Sequence, residues 1–271
     1  MISKPFLKWA GGKFKLAPFI AANLPSQSRK RLIEPFAGSA ALSLALEFDA
    51  YLLNDTNTDL IGLYQTLKKE KQGFIDYAKS FFIPENNQEI PFYELRERFN
   101  ASQKMFERAA LFIYLNRHAF NGLCRYNSKG AFNVPFGRYA VPYFPEAEMQ
   151  SFVTKSDRIE LICGDFQTAL NFAGDDDVVY CDPPYVPLSE TASFTTYAKG
   201  GFDLDDQNRL AERAKQVSEQ SQGVLISNHD TAFTRELYKE ARLETVQVQR
   251  NIAAKGSSRQ KVGELLAIYG E

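Results

Sequence analysis

Val178-Val179-Tyr180-Cys181-Asp182-Pro183-Pro184-Tyr185 is an apolar run that stops at a carboxylate and two prolines. A short apolar run bounded by turn residues has the pattern of a strand buried on both faces, as in a helix-covered parallel sheet. Proline fixes φ and offers no N–H, so Pro183-Pro184 end the strand and stiffen the loop beyond it. That loop carries the carbonyls of Asp182 and Pro183, the acceptor-only carboxylate of Asp182 and the flat face of Tyr185. A planar amine suits such a loop: its two N–H groups reach carboxylate and carbonyl while its ring lies on the tyrosine.

Runs of the same kind recur on either side. Residues 31–36 lead into Ala37-Gly38-Ser39 and a helical run over 40–48, and residues 51–54 end at Asp55 before a helical pattern over 58–69. Residues 158–162 end at Gly164-Asp165, and 223–227 end at Asn228-His229-Asp230. Helices are expected over 204–221 and 231–241, and strands over 244–249 and 264–269 should pair as a hairpin. The architecture expected is α/β: a mostly parallel sheet with antiparallel pairing at its C-terminal end. In such sheets ligands collect where strands end. The small residues of Phe36-Ala37-Gly38-Ser39-Ala40 permit close approach, and Asp55 follows Gly38 by 17 residues, near the ~20-residue spacing of a carboxylate that takes a ribose hydroxyl pair.

The alternation lapses over 57–145. Residues 105–115 are apolar on nearly every face, so a buried helix is expected there, opening into the Asn-, Gly- and Arg-bearing loop Asn116 to Asn127. The division expected is 1–56 and 146–271 as one catalytic domain, with 57–145 inserted.

The 271 residues are 44% hydrophobic and 24% charged, which excludes a disordered chain, a collagen and a coiled coil. Residues 109–115 form the longest uncharged apolar run, well short of the ~18 residues of a membrane span. Met1 to Lys8 holds no apolar stretch long enough for a signal peptide, and a cytoplasmic location is expected. Three scattered cysteines and two histidines point to neither a metal site nor a disulfide framework. Net charge is −1, yet Lys104 to Tyr139 holds six basic residues against Glu107 alone, and Arg250 to Lys261 holds four with no acid. Basic stretches on an acidic body are expected to face phosphates.

Taken in order, these motifs resemble the Dam-type DNA adenine-N6 methyltransferases, which carry D-P-P-Y and use S-adenosylmethionine. The resemblance runs from Leu7-Lys8-Trp9-Ala10-Gly11-Gly12-Lys13 through Glu34-Pro35-Phe36 and Asn121-Gly122-Leu123-Cys124-Arg125-Tyr126-Asn127. It continues through residues 132–139 and Asp182-Pro183-Pro184-Tyr185 to residues 225–230. Two positions depart from the pattern: Ala40 replaces a glycine, and Phe120 replaces a tyrosine. Alanine at position 40 would strain the loop if that residue needs a positive φ.

The resemblance implies a class I methyltransferase-like, doubly wound sheet with an inserted helical DNA-recognition domain. It implies Asp182, Pro183 and Tyr185 as catalytic residues, and Trp9, Lys13, Phe36, Gly38, Ser39, Asp55 and Asp182 as contacts to S-adenosylmethionine, with S-adenosylhomocysteine as product and no metal. The implied target is double-stranded GATC, its adenine flipped out. Arg125 would read one guanine, with Lys8 a candidate for the other. Leu123 and Pro135 would meet thymine methyls, Phe120 and Asn121 would enter the vacated space, and Asn127 and Arg138 would meet phosphates; Arg96 and Arg117 are further DNA candidates. The chain is expected to be a monomer in solution with no obligate protein partner, associated with the nucleoid through DNA, and the family suggests replication and mismatch-repair roles. Alternatives are an adenine methyltransferase of another sequence specificity, methylation of RNA or a protein amide, and a non-catalytic DNA-binding protein on the same scaffold. His229 is read as structural and Cys181 as core.

Overall fold

The computed structural model describes residues 3–25, 29–186, 202–249 and 261–270. Among them are strands β1 (Arg31–Glu34), β2 (Ala50–Asp55), β3 (Ile159–Cys163), β4 (Asp177–Cys181), β5 (Gly223–His229), β6 (Arg242–Gln249) and β7 (Lys261–Tyr269). They form one sheet in the order β3-β2-β1-β4-β5-β7-β6. The central pairs β1–β4 and β4–β5 are parallel, whereas β7 runs antiparallel to both β5 and β6. The late hairpin therefore forms, with its second strand slotted between β5 and the first. Leu265 to Tyr269 of β7 are all buried, and β6 has no buried residue among those described. The more apolar strand takes the inner place.

Several elements differ from the sequence reading: the helix expected over 231–241 spans only Ala232–Leu237, and the one expected over 58–69 runs on to Lys79. β1 stops at Glu34, because Pro35 has no N–H for a ladder. The helix expected over 40–48 spans only Ala41–Ala45, with Leu46 extended. β3 lies at the sheet edge and is largely unburied, so it is not a doubly covered strand. No helix of the described residues is long and apolar enough to cross a membrane.

By internal contacts the chain divides into two units. The first comprises Met1–Ala17, Ala37–Glu47 and Leu53–Gly164. Its long helix (Thr58–Lys79) is capped by Asn57, whose side chain accepts from Asp59 N and Leu60 N at 3.0 and 3.1 Å. It packs on the helix Met105–His118, where Gly62 leaves room for Met105; a side chain there would overlap the sulfur. Ala109 to Leu115 are buried, as the apolar run predicts, but Met105 and Phe106 at its start are exposed. Asn116 to His118, expected to open the exposed loop, are buried in the last turn of the helix. Asn116 ties the amino-terminal stretch to this helix, accepting from Lys8 N at 2.9 Å and donating to Lys8 O at 2.7 Å.

His118 closes the helix in an apolar setting, stacked on Tyr114 at 3.9 Å and edge-on to Phe82 at 5.0 Å. Burial pulls its imidazole down to about 4. An unfolded histidine titrates near 6.5, so between those values the unfolded chain binds a proton that the folded chain refuses. Stability is therefore lost as pH falls from about 6.5 to 4, by roughly 3 kcal/mol for this group. Relative to the native chain, His118→Phe should gain about that much between pH 7 and 4 in denaturant titrations; parallel pH profiles would remove His118 as the cause.

The second unit comprises Pro18–Phe36, Phe48–Leu52 and Asp165–Glu271. β4 is buried at every residue and β5 at all but the last. Arg31 and Asp177, opposite one another on β1 and β4, form a two-point ion pair at 2.9 and 2.6 Å. The helix Leu204–Ser218 begins in a capping box of Asp203 and Asp206.

Candidate active site

In the first unit, the turn after β1 is built by hydrogen bonds that hold its backbone open. Ala37 N donates to Asn54 O at 2.8 Å, Gly38 N to Asp55 Oδ2 at 3.0 Å, and the Tyr64 hydroxyl to Gly38 O at 2.7 Å. Asp55 also accepts from Asn57 N at 2.9 Å through Oδ1. Each carboxylate oxygen can accept more than one hydrogen bond, so Asp55 keeps acceptor capacity for a pair of hydroxyls. Burial pushes its carboxyl above the usual range, opposed by these backbone donors.

Trp9 lies against Gly38: a β-carbon added there would sit 2.7 Å from Nε1. Lys13 is buried and donates to Gly11 O at 2.6 Å, and Ser39 is buried beside Gly12. Trp9, Lys13, Gly38, Ser39 and Asp55, scattered in sequence, thus converge. Small residues, an indole face and a partly buried carboxylate form a donor–acceptor set that fits a nucleoside with a cationic side arm.

Ala40 does adopt the left-handed conformation, at φ 54° and ψ 39°. For a non-glycine residue this costs roughly 1–2 kcal/mol. The methyl is fully buried, which returns about 0.8 kcal/mol, and alanine avoids the roughly 0.5–1 kcal/mol entropic cost of glycine. The terms nearly cancel, which is why the motif tolerates the departure. Ala40→Gly should therefore shift stability by less than about 1 kcal/mol. Gly38→Ala, by contrast, meets both a positive φ and Trp9, and should cost about 2–3 kcal/mol. Equal melting temperatures for the two variants would refute this account.

In the second unit, the Asp182–Val186 loop leaves the buried end of β4 and is clamped along its length. Gln207 Nε2 donates to Pro184 O at 2.8 Å, Asn228 Oδ1 accepts from Val186 N at 3.1 Å, and His229 Nδ1 meets Val186 O at 2.6 Å. Asn228 in turn donates to Gln207 Oε1 at 3.1 Å. The Tyr185 hydroxyl donates to the Glu264 carboxylate, and its ring meets His229 edge-on. Asp182 is half-buried and Cys181 fully buried, its thiol pushed up by desolvation. The same unit places Phe36 against Phe166 at 5.4 Å and Phe202 at 5.5 Å. This is a second aromatic surface, with Arg209 above Phe166 and paired to Asp165.

The expected DNA contacts are all in the first unit. Phe120, Asn121, Arg125, Asn127, Pro135 and Arg138 are exposed, while Leu123 and Arg96 are half-buried. Arg125 is held by Asn133, through Oδ1 at 2.8 Å and the carbonyl at 3.3 Å. Arg138 pairs with Glu89 at 2.9 Å, and Arg96 lies over the Tyr93 ring and donates to Val134 O. Lys8 sits 4.1 Å from the centre of the Tyr139 ring, and burial together with Arg117 lowers its pKa.

Arg117 differs from the rest. It is buried and donates to Phe6 O, a position that secures the amino-terminal stretch and offers no charge to a phosphate. Arg108 is likewise turned inward onto Asp59. Counting charges along 104–139 therefore overstates the basic surface, because two of its six basic side chains serve the interior. The second basic stretch, Arg250 to Lys261, lies outside the residues whose side chains are described.

Several supporting residues escaped the sequence reading. Tyr64 had no sequence signal, and Asn116 and Asn133 stood in stretches already quoted but with nothing to mark these roles, since each acts on a partner distant in the chain or across a loop. Gln207 and Glu264 likewise stand alone in otherwise ordinary segments. Asn228 lay in a stretch already singled out, beside His229, whose structural role matches its bond to Val186.

A model of D12 class N6 adenine-specific DNA methyltransferases matches residues 9–252. The chain is 49% identical over 267 residues to the DNA adenine methylase of Vibrio cholerae serotype O1, covering 98% of this chain and 96% of that one. It is 48% identical to the DNA adenine methylases of Escherichia coli K12 (98% and 95% covered) and Haemophilus influenzae (98% and 94%). With an α/β fold, a clamped D-P-P-Y loop and similarity along nearly its whole length, the chain belongs to the D12 class of N6 adenine-specific DNA methyltransferases.

Proposed function

We propose that this enzyme methylates N6 of adenine within double-stranded GATC, acting on a base rotated out of the helix, with S-adenosylmethionine as donor. Bound donor supplies an electrophilic methyl group. Asp55 would accept the donor's ribose hydroxyls, Trp9, Lys13 and the backbone around Gly38 and Ser39 would contact it, and Phe36 and Asp182 are further donor contacts. Adenine N6 is a poor nucleophile because its lone pair is delocalised into the ring. Asp182 and the Pro183 carbonyl would accept its two N–H groups, drawing the lone pair toward the methyl carbon, while Tyr185 stacks on the base. As the N6–methyl bond forms, the methyl–sulfur bond of the donor would break to leave S-adenosylhomocysteine, and the surplus N6 proton would pass to solvent. Catalysis is then positioning and electrostatics, with no covalent enzyme intermediate. Adenine inside a duplex cannot reach such a loop, so extrusion at a cost of a few kcal/mol is part of the proposal.

The carrying observation is the Asp182–Val186 loop. Side chains of Gln207, Asn228 and His229 hold its main chain at three points, a rigidity suited to a carboxylate that must meet one amine. Identity of 48–49% to DNA adenine methylases supports the substrate class. We assign target recognition to residues 57–145, with Arg125 contacting guanine O6 and N7. Lys8, Arg96, Phe120, Asn121, Leu123, Asn127, Pro135 and Arg138 make the remaining DNA contacts. Arg117 is left out of that set because it is buried. The enzyme is taken to be a monomer in solution.

The test is methyl transfer from tritiated S-adenosylmethionine to duplexes differing only in GATC or GTTC. Label confined to the GATC duplex, recovered as N6-methyladenine, is expected; equal label on both would overturn the assigned target. Arg125→Ala should cost about 1–3 kcal/mol at one base position. A loss uniform across all sequences would reassign Arg125 to the phosphates.

A further inference from the structure

We propose that Glu264 is a positioning residue for methyl transfer: by accepting the Tyr185 hydroxyl it fixes where the ring that stacks on the target base can sit. The inference rests on the reading above that Tyr185 stacks on the adenine.

A tyrosine at the end of a loop can move in two ways, swinging about χ1 and spinning about χ2. A hydrogen bond at the hydroxyl lies on the ring axis, so it stops the swing but leaves the spin. The Glu264 carboxylate accepts that hydroxyl. The spin is opposed separately by His229, whose ring stands 4.8 Å from that of Tyr185 at 81°. His229 is itself anchored to the loop it steadies. Its Nδ1 lies 2.6 Å from Val186 O, and because a carbonyl only accepts, that nitrogen carries the proton.

Both restraints come from one place in the sheet, since His229 of β5 and Glu264 of β7 are directly opposed in the antiparallel register. The slotting of β7 beside β5 thus delivers a carboxylate to a loop that follows β4. Burial, with Asp182 and Glu264 nearby, pushes the Tyr185 phenol well above its usual value, so it remains a donor at working pH. Displacement of about 1 Å at a reacting group typically costs on the order of 100-fold in rate, so a loosened ring should be felt in turnover.

The experiment compares Tyr185→Phe, Glu264→Ala, Glu264→Gln and the double variant Tyr185→Phe/Glu264→Ala. It reads the single-turnover methyl-transfer rate, duplex affinity, and fluorescence of 2-aminopurine at the target position. Tyr185→Phe and Glu264→Ala should each slow transfer by about 10- to 100-fold, with duplex affinity held within about threefold and a brighter, less stacked 2-aminopurine. Glu264→Gln, whose amide oxygen still accepts the hydroxyl, should stay within about threefold of the native rate. The double variant should be no slower than Glu264→Ala, because both changes remove one interaction.

A double variant as slow as the product of the two single losses would overturn the proposal. So would a native rate in Tyr185→Phe, which keeps the ring and settles the matter even if Glu264→Ala fails to fold. Failure of the underlying reading looks different: Tyr185→Ala would then transfer at the native rate, or the native enzyme would leave duplex adenine unlabelled.

Discussion

Alanine at position 182 is expected to slow methyl transfer by about 1000-fold or more while DNA binding remains measurable. The size follows from what the side chain does in the proposed reaction. Removing one preorganised electrostatic contact to a transition state typically costs 100- to 1000-fold, and Asp182 both accepts an N6 N–H hydrogen bond and helps hold the lone pair in line. The loop itself should survive, since its main chain is anchored through Pro184 and Val186. Asp182→Asn provides the gradation: it keeps one acceptor oxygen but turns an NH2 group toward an amine, and should fall between. The measurement is single-turnover transfer alongside duplex affinity. Near-native transfer in Asp182→Ala would remove this residue from the mechanism.

The largest effect on stability is expected at Asp59. It is buried, and its carboxylate takes the Arg108 guanidinium through Nε and through Nη2 at 3.1 Å, together with the Tyr126 hydroxyl at 2.6 Å. Asp59→Ala strands a half-buried cation and removes the acceptor for a half-buried phenol; breaking a buried pair typically costs about 3–5 kcal/mol, and the lower end is expected here. For a chain of this size the melting temperature should drop by roughly 10 °C. Tyr126 stands between Arg125 and Asn127, so loss of its anchor should also blunt discrimination at the base that Arg125 reads. Adding Arg108→Met, which removes the stranded charge, should recover much of the stability but not the discrimination. A drop of less than about 1 kcal/mol in Asp59→Ala would show that the ion pair is not held as described.

Much of the site was legible in the chain because its signals are local. Proline removes donors wherever it stands, so the end of β4 and the stiff loop at Asp182 follow from four adjacent residues. Spacing linked Gly38 to Asp55, and the two do meet through the Gly38 N–H. The supporting residues were not legible, for a matching reason. Glu264 lies 79 positions from Tyr185 and Asn116 lies 108 from Lys8, and a solitary polar residue announces no partner. Arg117 shows the converse error: in sequence it is one more cation in a basic stretch, and only packing reveals it as an interior donor to Phe6.

By itself the sequence determined the alternation of buried strands and helices and the side-chain chemistry at the strand ends. Those depend on apolar period, backbone donors and side-chain type, which are properties of neighbouring residues. Tertiary structure alone decided that β7 lies between β5 and β6, that Ala40 sits in a left-handed turn at nearly balanced cost, and which basic side chains face inward. Each of those outcomes is set by burial against residues far away in the chain, where desolvation and steric fit outweigh any local preference.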